Sequence, residues 1–115
     1  MTFSKAELER YSRQILLYGL DGQKKFKSAR IVVIGAGGLG SSLLPLLAAA
    51  GIGTIEIFDG DKVEQSNLGR QMIYRENDIG KAKARIAAIF LRELNPHIEI
   101  ISHERHFDKA DASIL

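Results

Sequence analysis

A glycine-rich loop placed directly after an apolar run is the feature that most constrains the fold of this chain. Residues 31–34 read Ile-Val-Val-Ile, an uninterrupted β-branched run that favours a parallel strand buried on both faces. Gly35, Gly37 and Gly40 follow in the pattern G-x-G-x-x-G, and the Leu- and Ala-rich residues 39–50 have the length of one helix. A strand, a glycine loop and a helix in this order predict a Rossmann-like α/β domain.

The spacing of these glycines also predicts a phosphate-binding site. Gly35 permits the tight turn, Gly37 lets a phosphate approach the backbone, and Gly40 lets helix and strand pack closely. The helix N-terminus supplies oriented N–H donors, and Gly38 removes a further side chain from the approach. Asp59 follows Gly40 by roughly the 20 residues typical of a carboxylate that accepts hydrogen bonds from a ribose. Together these residues predict that a nucleotide lies over the loop.

The N-terminal segment is predicted to be a helical extension. Ser4 and Glu7 have the spacing of a capping box, so a helix should follow them. Its buried face is predicted by helical spacing to contain Leu8, Tyr11, Ile15 and Leu16. Gly19 and Gly22 should break this helix, and a short basic helix is predicted over residues 23–28.

The order of the remaining elements predicts a parallel sheet of about three strands. Residues 54–58 and 98–102 are expected as the second and third strands, and a helix between them should open at residues 79–81 and stop at Asn95-Pro96. The apolar face of that helix is predicted to be Ala82, Ile86, Ile89 and Phe90. Pro45 predicts a kink or a one-turn shift in the preceding helix. Residues 108–115 are expected as the start of another helix or as a loose tail.

The composition indicates one soluble domain covering residues 1–115. The 16 basic and 14 acidic side chains are spread along the chain, so the net charge of +2 gives no basic stripe for nucleic acid and no membrane surface. There are no cysteines, which excludes disulfides and thiolate sites within the chain and fits a reducing compartment. With no signal-peptide pattern or membrane span, a cytoplasmic location is expected.

A polar connection over residues 65–77 is too long and too polar to be a plain spacer, so we expect it to contact a ligand. From the residues considered so far, the nucleotide can be a dinucleotide redox cofactor or ATP. Asp61 is either a second contact or a turn residue. No metal site is predicted, because the three histidines have no obvious ligand spacing: His97, His103 and His106.

Five ordered motifs carry a resemblance to a known family. They are Arg10-Tyr11-Ser12-Arg13-Gln14, residues 35–40, Asp59-Gly60-Asp61, Ser66-Asn67-Leu68-Gly69-Arg70-Gln71 and Gly80-Lys81-Ala82-Lys83. In this order the chain resembles the ThiF/MoeB/HesA family, relatives of the ubiquitin-activating enzymes. The resemblance implies ATP and Mg²⁺ as cofactors, and an adenylyltransferase that activates the C-terminal glycine of a ubiquitin-like sulfur-carrier protein.

The resemblance also implies roles for individual residues. It places the phosphates over Gly38 and its neighbours, the ribose on Asp59, and Asp61 and Ser66 among the cofactor-binding residues. Asn67, Arg70 and Lys83 would surround the triphosphate, with Arg70 and Lys83 also catalytic. Arg13 is implied as a third catalytic residue that reaches into the site of a partner, which makes a homodimer the expected assembly.

The residue types agree with this chemistry, because attack of a carboxylate on the α-phosphate needs positioning and neutralisation of charge rather than a protein nucleophile. Each charge has an alternative interpretation: Arg13 and Lys83 as solvated helix residues, and Arg70 as a polar loop residue. Two other functions remain open. One is a nicotinamide-dependent oxidoreductase, and the other is a non-catalytic nucleotide-binding module that acts through its dimer surface.

The resemblance covers the N-terminal half of the family fold. A fourth strand with the magnesium-binding aspartate has no match within residues 1–115, so catalysis by this chain alone is doubtful. In a doubly wound sheet the fourth strand would lie beside the first. Residues 31–34 are therefore expected to have an open apolar edge that pairs with a second copy or with a further portion of the chain.

Overall fold

The computed structural model describes residues 2–115, which form a three-stranded parallel sheet with its connecting helices. The strands are β1 (Arg30–Ile34), β2 (Thr54–Phe58) and β3 (Glu99–His103), in the spatial order β1-β2-β3. Helix α3 (Gly38–Ala50) connects β1 to β2, and α4 (Lys83–Leu94) connects β2 to β3. This architecture confirms the predicted Rossmann-like parallel sheet of about three strands.

The core lies between one face of the sheet and helices α3 and α4. Ile55 and Ile57 of the central strand β2 are fully buried and belong to one cluster with Leu44 and Ala48 of α3. The contribution of α4 differs from the prediction, since its buried residues are Lys83, Ala84, Ala87, Ala88 and Leu91. Small alanines let the helix lie close to the sheet, whereas the predicted Ile89 is exposed and Ile86 and Phe90 are only partly buried.

Strand β1 is an edge strand, and the expectation that it is buried on both faces is wrong. Val33 is its only buried residue, and Ile34 is 59% exposed. The central strand β2 has the doubly buried environment instead, because β1 and β3 flank it. Within residues 2–115 no strand pairs with the outer edge of β1, as expected.

The N-terminal extension consists of α1 (Lys5–Arg10) and α2 (Ser12–Ser28). The predicted capping box is present: the Ser4 hydroxyl accepts from the Glu7 N–H at 3.1 Å, and the Ser4 N–H donates to the Glu7 carboxylate at 3.0 Å. Gly19 breaks α2 with φ 75° and ψ 169°, as predicted, whereas Gly22 stays within the helix. A turn at Tyr11 separates α1 from α2.

That turn interrupts the helical spacing on which the predicted buried face depended. Of the four predicted residues only Tyr11 is buried, while Leu8 and Leu16 are exposed. Tyr11 packs against Gly51, and its hydroxyl accepts a hydrogen bond from the Asn95 amide at 2.8 Å. The fully buried Gln23 donates to the Ala50 carbonyl at 2.9 Å. The extension is thus joined to the sheet domain by buried polar contacts.

Several element boundaries differ from the predictions. Helix α3 runs uninterrupted through Pro45 and ends at Gly51, whose φ of 91° is left-handed. Helix α4 begins at Lys83 rather than at residues 79–81, and β3 lies one residue later than predicted. The long connection contains two 3₁₀ turns, Gln65–Asn67 and Glu76–Asp78, and a third 3₁₀ segment spans Lys109–Ile114. Of the helices in residues 2–115, none is both long and apolar enough to cross a membrane.

A buried carboxylate lies in the middle of β2. Glu56 accepts hydrogen bonds from the Arg30 guanidinium and, at 2.7 Å, from His103 Nε2. His103 is held in place by stacking on Phe58, with ring centroids 4.1 Å apart. Burial alone would raise the pKa of Glu56, but the hydrogen bonds from Arg30 and His103 outweigh it and lower the pKa below its ordinary value.

Candidate nucleotide site

The glycine loop lies where β1 and β2 end, at the N-terminus of α3. Gly35 has φ 95°, a left-handed conformation that favours glycine, and its N–H donates to the Phe58 carbonyl at 2.8 Å. Gly37 is the N-cap of α3, and no side chain caps the helix there. The first N–H groups of α3 are therefore available to a bound anion.

The space around Gly40 confirms its predicted role in close packing, whereas the phosphate contacts of Gly37 and Gly38 remain predictions. A methyl group on Gly40 would lie 3.0 Å from the carbonyl carbon of Gly35 and closer still to its oxygen, so only glycine allows this close packing. A methyl group on Gly37 would instead meet Lys83 Nζ at 3.8 Å, and one on Gly38 would meet Arg70 Nη1 at 3.9 Å. Gly37 and Gly38 thus face the space in which two cationic side chains end.

Asp59, at the end of β2, is buried and hydrogen-bonded to the loop. One carboxylate oxygen accepts from the Ala36 N–H at 2.7 Å, and the other accepts from the Asp61 N–H at 2.7 Å. Each oxygen retains a second lone pair that can accept from a hydroxyl group. The structure places Asp59 beside the glycine loop, as expected, and its contact with a ribose remains a prediction.

Lys83 is the first residue of α4 and points its ammonium group towards the loop. The residue is only 6% exposed, and within residues 2–115 its side chain has no hydrogen-bond or ion-pair partner. The aromatic ring of Tyr74 lies 6.0 Å from Nζ. The backbone of Lys83 is fixed by its N–H, which donates to the Asp61 carbonyl at 3.0 Å. The stem of Lys83 is packed while its ammonium group remains accessible and has no acidic partner in the part of the chain that the structure describes, so this position suits an anionic ligand.

The other predicted residues of the long connection have different environments. Arg70 is exposed, with its guanidinium beside Gly38. Asn67 is buried, and its side-chain oxygen caps a turn by accepting from the Glu64 N–H at 2.8 Å, which leaves its NH₂ group for a ligand. Ser66 and Asp61 are exposed, and no described contact joins either side chain to the glycine loop.

Two residues near the loop were not among the predicted site residues. The Tyr74 hydroxyl donates to the Ala36 carbonyl, and burial, together with the nearby Asp59 carboxylate, raises its pKa. Gln71 is 2% exposed, and its Nε2 lies 3.7 Å from where a methyl group on Gly37 would be. Gln71 belongs to the motif of residues 66–71, which is one of the five that support the family resemblance. The burial of Gln71 and Tyr74 could not be predicted, because it depends on how residues 65–77 pack against the glycine loop.

Arg13 lies far from the loop of its own chain. The neighbouring Gln14 donates to the Ala50 carbonyl at 2.6 Å, which places this part of α2 at the C-terminal end of α3. The 13 residues of α3 span about 20 Å at about 1.5 Å per residue, and the glycine loop is at the other end. The structure therefore does not bring Arg13 together with Arg70 and Lys83 of the same chain.

His106 lies close to two of the predicted carboxylates. Its Nδ1 accepts from the Gly60 N–H at 3.3 Å, its Nε2 lies 3.5 Å from Asp61, and one ligand atom each of Asp59, Asp61 and His106 lies within 4.8 Å of the others. Both oxygens of Asp59 already accept backbone N–H groups. The proximity of these three side chains neither confirms nor contradicts the expectation that the chain has no metal site.

The fold and this site define a class: a Rossmann-like α/β domain whose glycine loop faces a buried lysine and an exposed arginine. The chain belongs to the ThiF family, whose model matches residues 11–115. The family indicated by the five sequence motifs is thereby confirmed.

Two relatives illustrate the similarity. The chain is 46% identical over 108 residues to the adenylyltransferase and sulfurtransferase uba4 of Emericella nidulans, covering 92% of this chain and 22% of that protein. It is 42% identical over 113 residues to the SAMP-activating enzyme E1 of Haloferax volcanii, covering 96% of this chain and 42% of the relative. The chain thus spans less than half the length of either curated relative.

A solved structure agrees with the fold. The tRNA N6-threonylcarbamoyladenosine dehydratase TcdA of E. coli, in complex with ATP, superimposes with a TM-score of 0.92 at 31% sequence identity. The match covers 99% of this chain and 47% of that protein.

Proposed function

We propose that this chain supplies the ATP-binding half of an adenylyltransferase that activates the C-terminal glycine of a ubiquitin-like sulfur-carrier protein. The observation that carries the proposal is Lys83, a mostly buried residue whose ammonium faces the glycine loop without an acidic partner in residues 2–115, with the Arg70 guanidinium beside the loop. Two positive charges at a helix N-terminus suit a polyphosphate better than the single pyrophosphate bridge of a nicotinamide cofactor. The names of the relatives and the ATP complex of TcdA support the same assignment.

In the proposed reaction, a terminal carboxylate oxygen of the carrier protein attacks the α-phosphorus of ATP. A carboxylate–phosphorus bond forms, the bond from the α-phosphorus to the bridging oxygen breaks, and pyrophosphate leaves with the bonding electron pair. Arg70 and Lys83 neutralise the charge that grows on the departing phosphates, and a Mg²⁺ ion bound with ATP would supply further neutralisation there. Asp59 accepts hydrogen bonds from the ribose, and Asn67 donates a hydrogen bond from its free NH₂ group to the triphosphate.

A homodimer completes the proposed site. Because Arg13 lies about one α3 length, about 20 Å, from its own glycine loop, it can serve only the site of a second copy. The exposed Ile34 edge of β1 offers an apolar surface for pairing. Sedimentation should show self-association, and a stable monomer at micromolar concentration would contradict the pairing. We place this activity in the cytoplasm, where ATP is available.

Binding and exchange experiments test the proposed function. Titration calorimetry should detect binding of ATP with Mg²⁺, and Lys83→Met should weaken it about 10- to 100-fold because a charged hydrogen bond to phosphate is lost. The matched control is Lys81→Met, an exposed lysine two residues earlier, which should change the affinity less than about twofold. Tight NAD binding without ATP binding would refute the assignment.

Exchange of radiolabelled pyrophosphate into ATP, in the presence of a sulfur-carrier protein, tests the chemistry itself. Exchange that is lost in Arg70→Ala would show catalysis by this chain. ATP binding without any exchange would support the alternative of a non-catalytic nucleotide-binding module.

A further inference from the structure

Gln71 has a buried side chain with an unused hydrogen-bonding atom. Its Oε1 is the only buried side-chain nitrogen or oxygen within residues 2–115 that lacks a hydrogen-bond partner. The backbone around it is firmly placed, since the Gln71 N–H donates to the Asn67 carbonyl at 2.8 Å and the Gln71 carbonyl accepts from the Tyr74 N–H at 3.2 Å. Buried polar groups in folded proteins are nearly always paired, and because Oε1 is an acceptor, it lacks a donor.

The side chain points into the space above the glycine loop. Its Nε2 and Lys83 Nζ are the two atoms nearest to a methyl group placed on Gly37, at 3.7 and 3.8 Å. A neutral amide donor and an ammonium group therefore lie close together at the uncapped N-terminus of α3. A phosphate group, with several anionic oxygens, can accept from both donors and from the helix N–H groups at once.

We propose that Gln71 is a further ligand-binding residue of this site, donating from Nε2 to a phosphate oxygen above Gly37. With the phosphate bound, Oε1 accepts a hydrogen bond from the Lys83 ammonium, whose other protons remain for the phosphate. The hydrogen bond between Oε1 and Nζ would both give Oε1 a partner and orient the Lys83 ammonium towards the phosphate. The inference rests on the proposed function. It adds that Gln71 increases the affinity for a phosphorylated nucleoside but not for a nucleoside without phosphate.

Substitution of Gln71 by Met, which has similar length but no amide, tests this role. NMR titration of the full chain should show that Gln71→Met weakens ATP about 10- to 100-fold, because a hydrogen bond to a charged group is lost. Adenosine, which has no phosphate, should bind within about twofold of its wild-type affinity. Gln65→Met, an exposed glutamine in the same connection, is the matched control and should change neither affinity.

The outcomes separate this inference from the proposed function. If the wild-type chain binds no ATP, both fail. If it binds ATP and Gln71→Met binds ATP equally well, only the role of Gln71 is overturned. Equal loss of ATP and adenosine would show a merely structural role and would also overturn it.

A second measurement needs no variant and so does not depend on folding of Gln71→Met. The side-chain NH₂ resonances of Gln71 in the wild-type chain should shift on saturation with ATP and stay in place with adenosine. Unchanged resonances at saturation with ATP would overturn the inference.

Discussion

The glycine loop contains one glycine that the fold requires, Gly40, and another that the proposed function requires, Gly38, and substitution by alanine should separate the two requirements. In Gly40→Ala the new methyl group would lie 3.0 Å from the Gly35 carbonyl carbon and nearer to its oxygen, well inside the 3.4 Å at which ordinary contact begins. Because the obstacle is backbone, the loop has to open. Overpacking of this kind costs about 1–3 kcal/mol.

Helix preference offsets part of that cost, because alanine is better than glycine inside a helix by about 0.5–1 kcal/mol. With the middle of each range, the net loss for Gly40→Ala is about 1 kcal/mol, which corresponds to a Tm about 4 °C lower in a domain of this size. Affinity for ATP should fall as well, since the opened loop no longer presents its N–H groups in the same place.

Gly38→Ala should give the opposite pattern. Its methyl group meets no backbone, and its nearest neighbour is the flexible end of Arg70 at 3.9 Å. The Tm should stay the same or rise slightly, while ATP binding weakens because the methyl group occupies the space for a phosphate. Gly69→Ala, with no atom within 4 Å, is the control for both measurements. Thermal unfolding by circular dichroism and calorimetry with ATP provide the data. Equal destabilisation by Gly38→Ala and Gly40→Ala would refute this division of roles.

Two further substitutions test the polar contacts of the fold and the site. Since the folded-state pKa of Glu56 is lowered, its stabilising contribution is present above the ordinary value of 4.5 and is lost as pH falls through the folded pKa. Urea unfolding across acidic pH should thus show a smaller acid-induced loss for Glu56→Gln than for the wild type, and equal losses would contradict it. Tyr74→Phe removes the hydrogen bond to the Ala36 carbonyl, so the free energy of unfolding should drop by about 1–3 kcal/mol. An unchanged urea midpoint would show that this bond is not stabilising.

Local pattern was sufficient to predict the glycine loop and the order of the elements. The special conformation of Gly35 and the close packing at Gly40 arise within a few residues of the strand and the helix, so a short sequence pattern records them. The placement of Asp59 also follows, because the ends of adjacent parallel strands meet at one edge of the sheet.

Burial that depends on distant contacts could not be predicted in the same way. The apolar run alone predicted β1 as a strand buried on both faces, whereas its open edge was predicted from the topology of a doubly wound sheet, because edge position depends on what lies beside a strand. Lys83 has the sequence context of a solvated helix residue, yet the bond from its N–H to the Asp61 carbonyl turns the start of α4 towards the loop. The face of α4 was misjudged since large apolar residues were favoured over the alanines that permit close approach.

The hydrogen bonds that join the helical extension to the sheet domain bear on how stable the sheet domain is without the extension. Removing residues 2–28 would take Tyr11 from the buried Asn95 amide, which would keep its bond to the Ala48 carbonyl, and would take Gln23 from the partly buried Ala50 carbonyl. The sheet domain that begins at β1 should therefore unfold at a lower urea concentration without the extension than with it, although the extension lies far from the glycine loop.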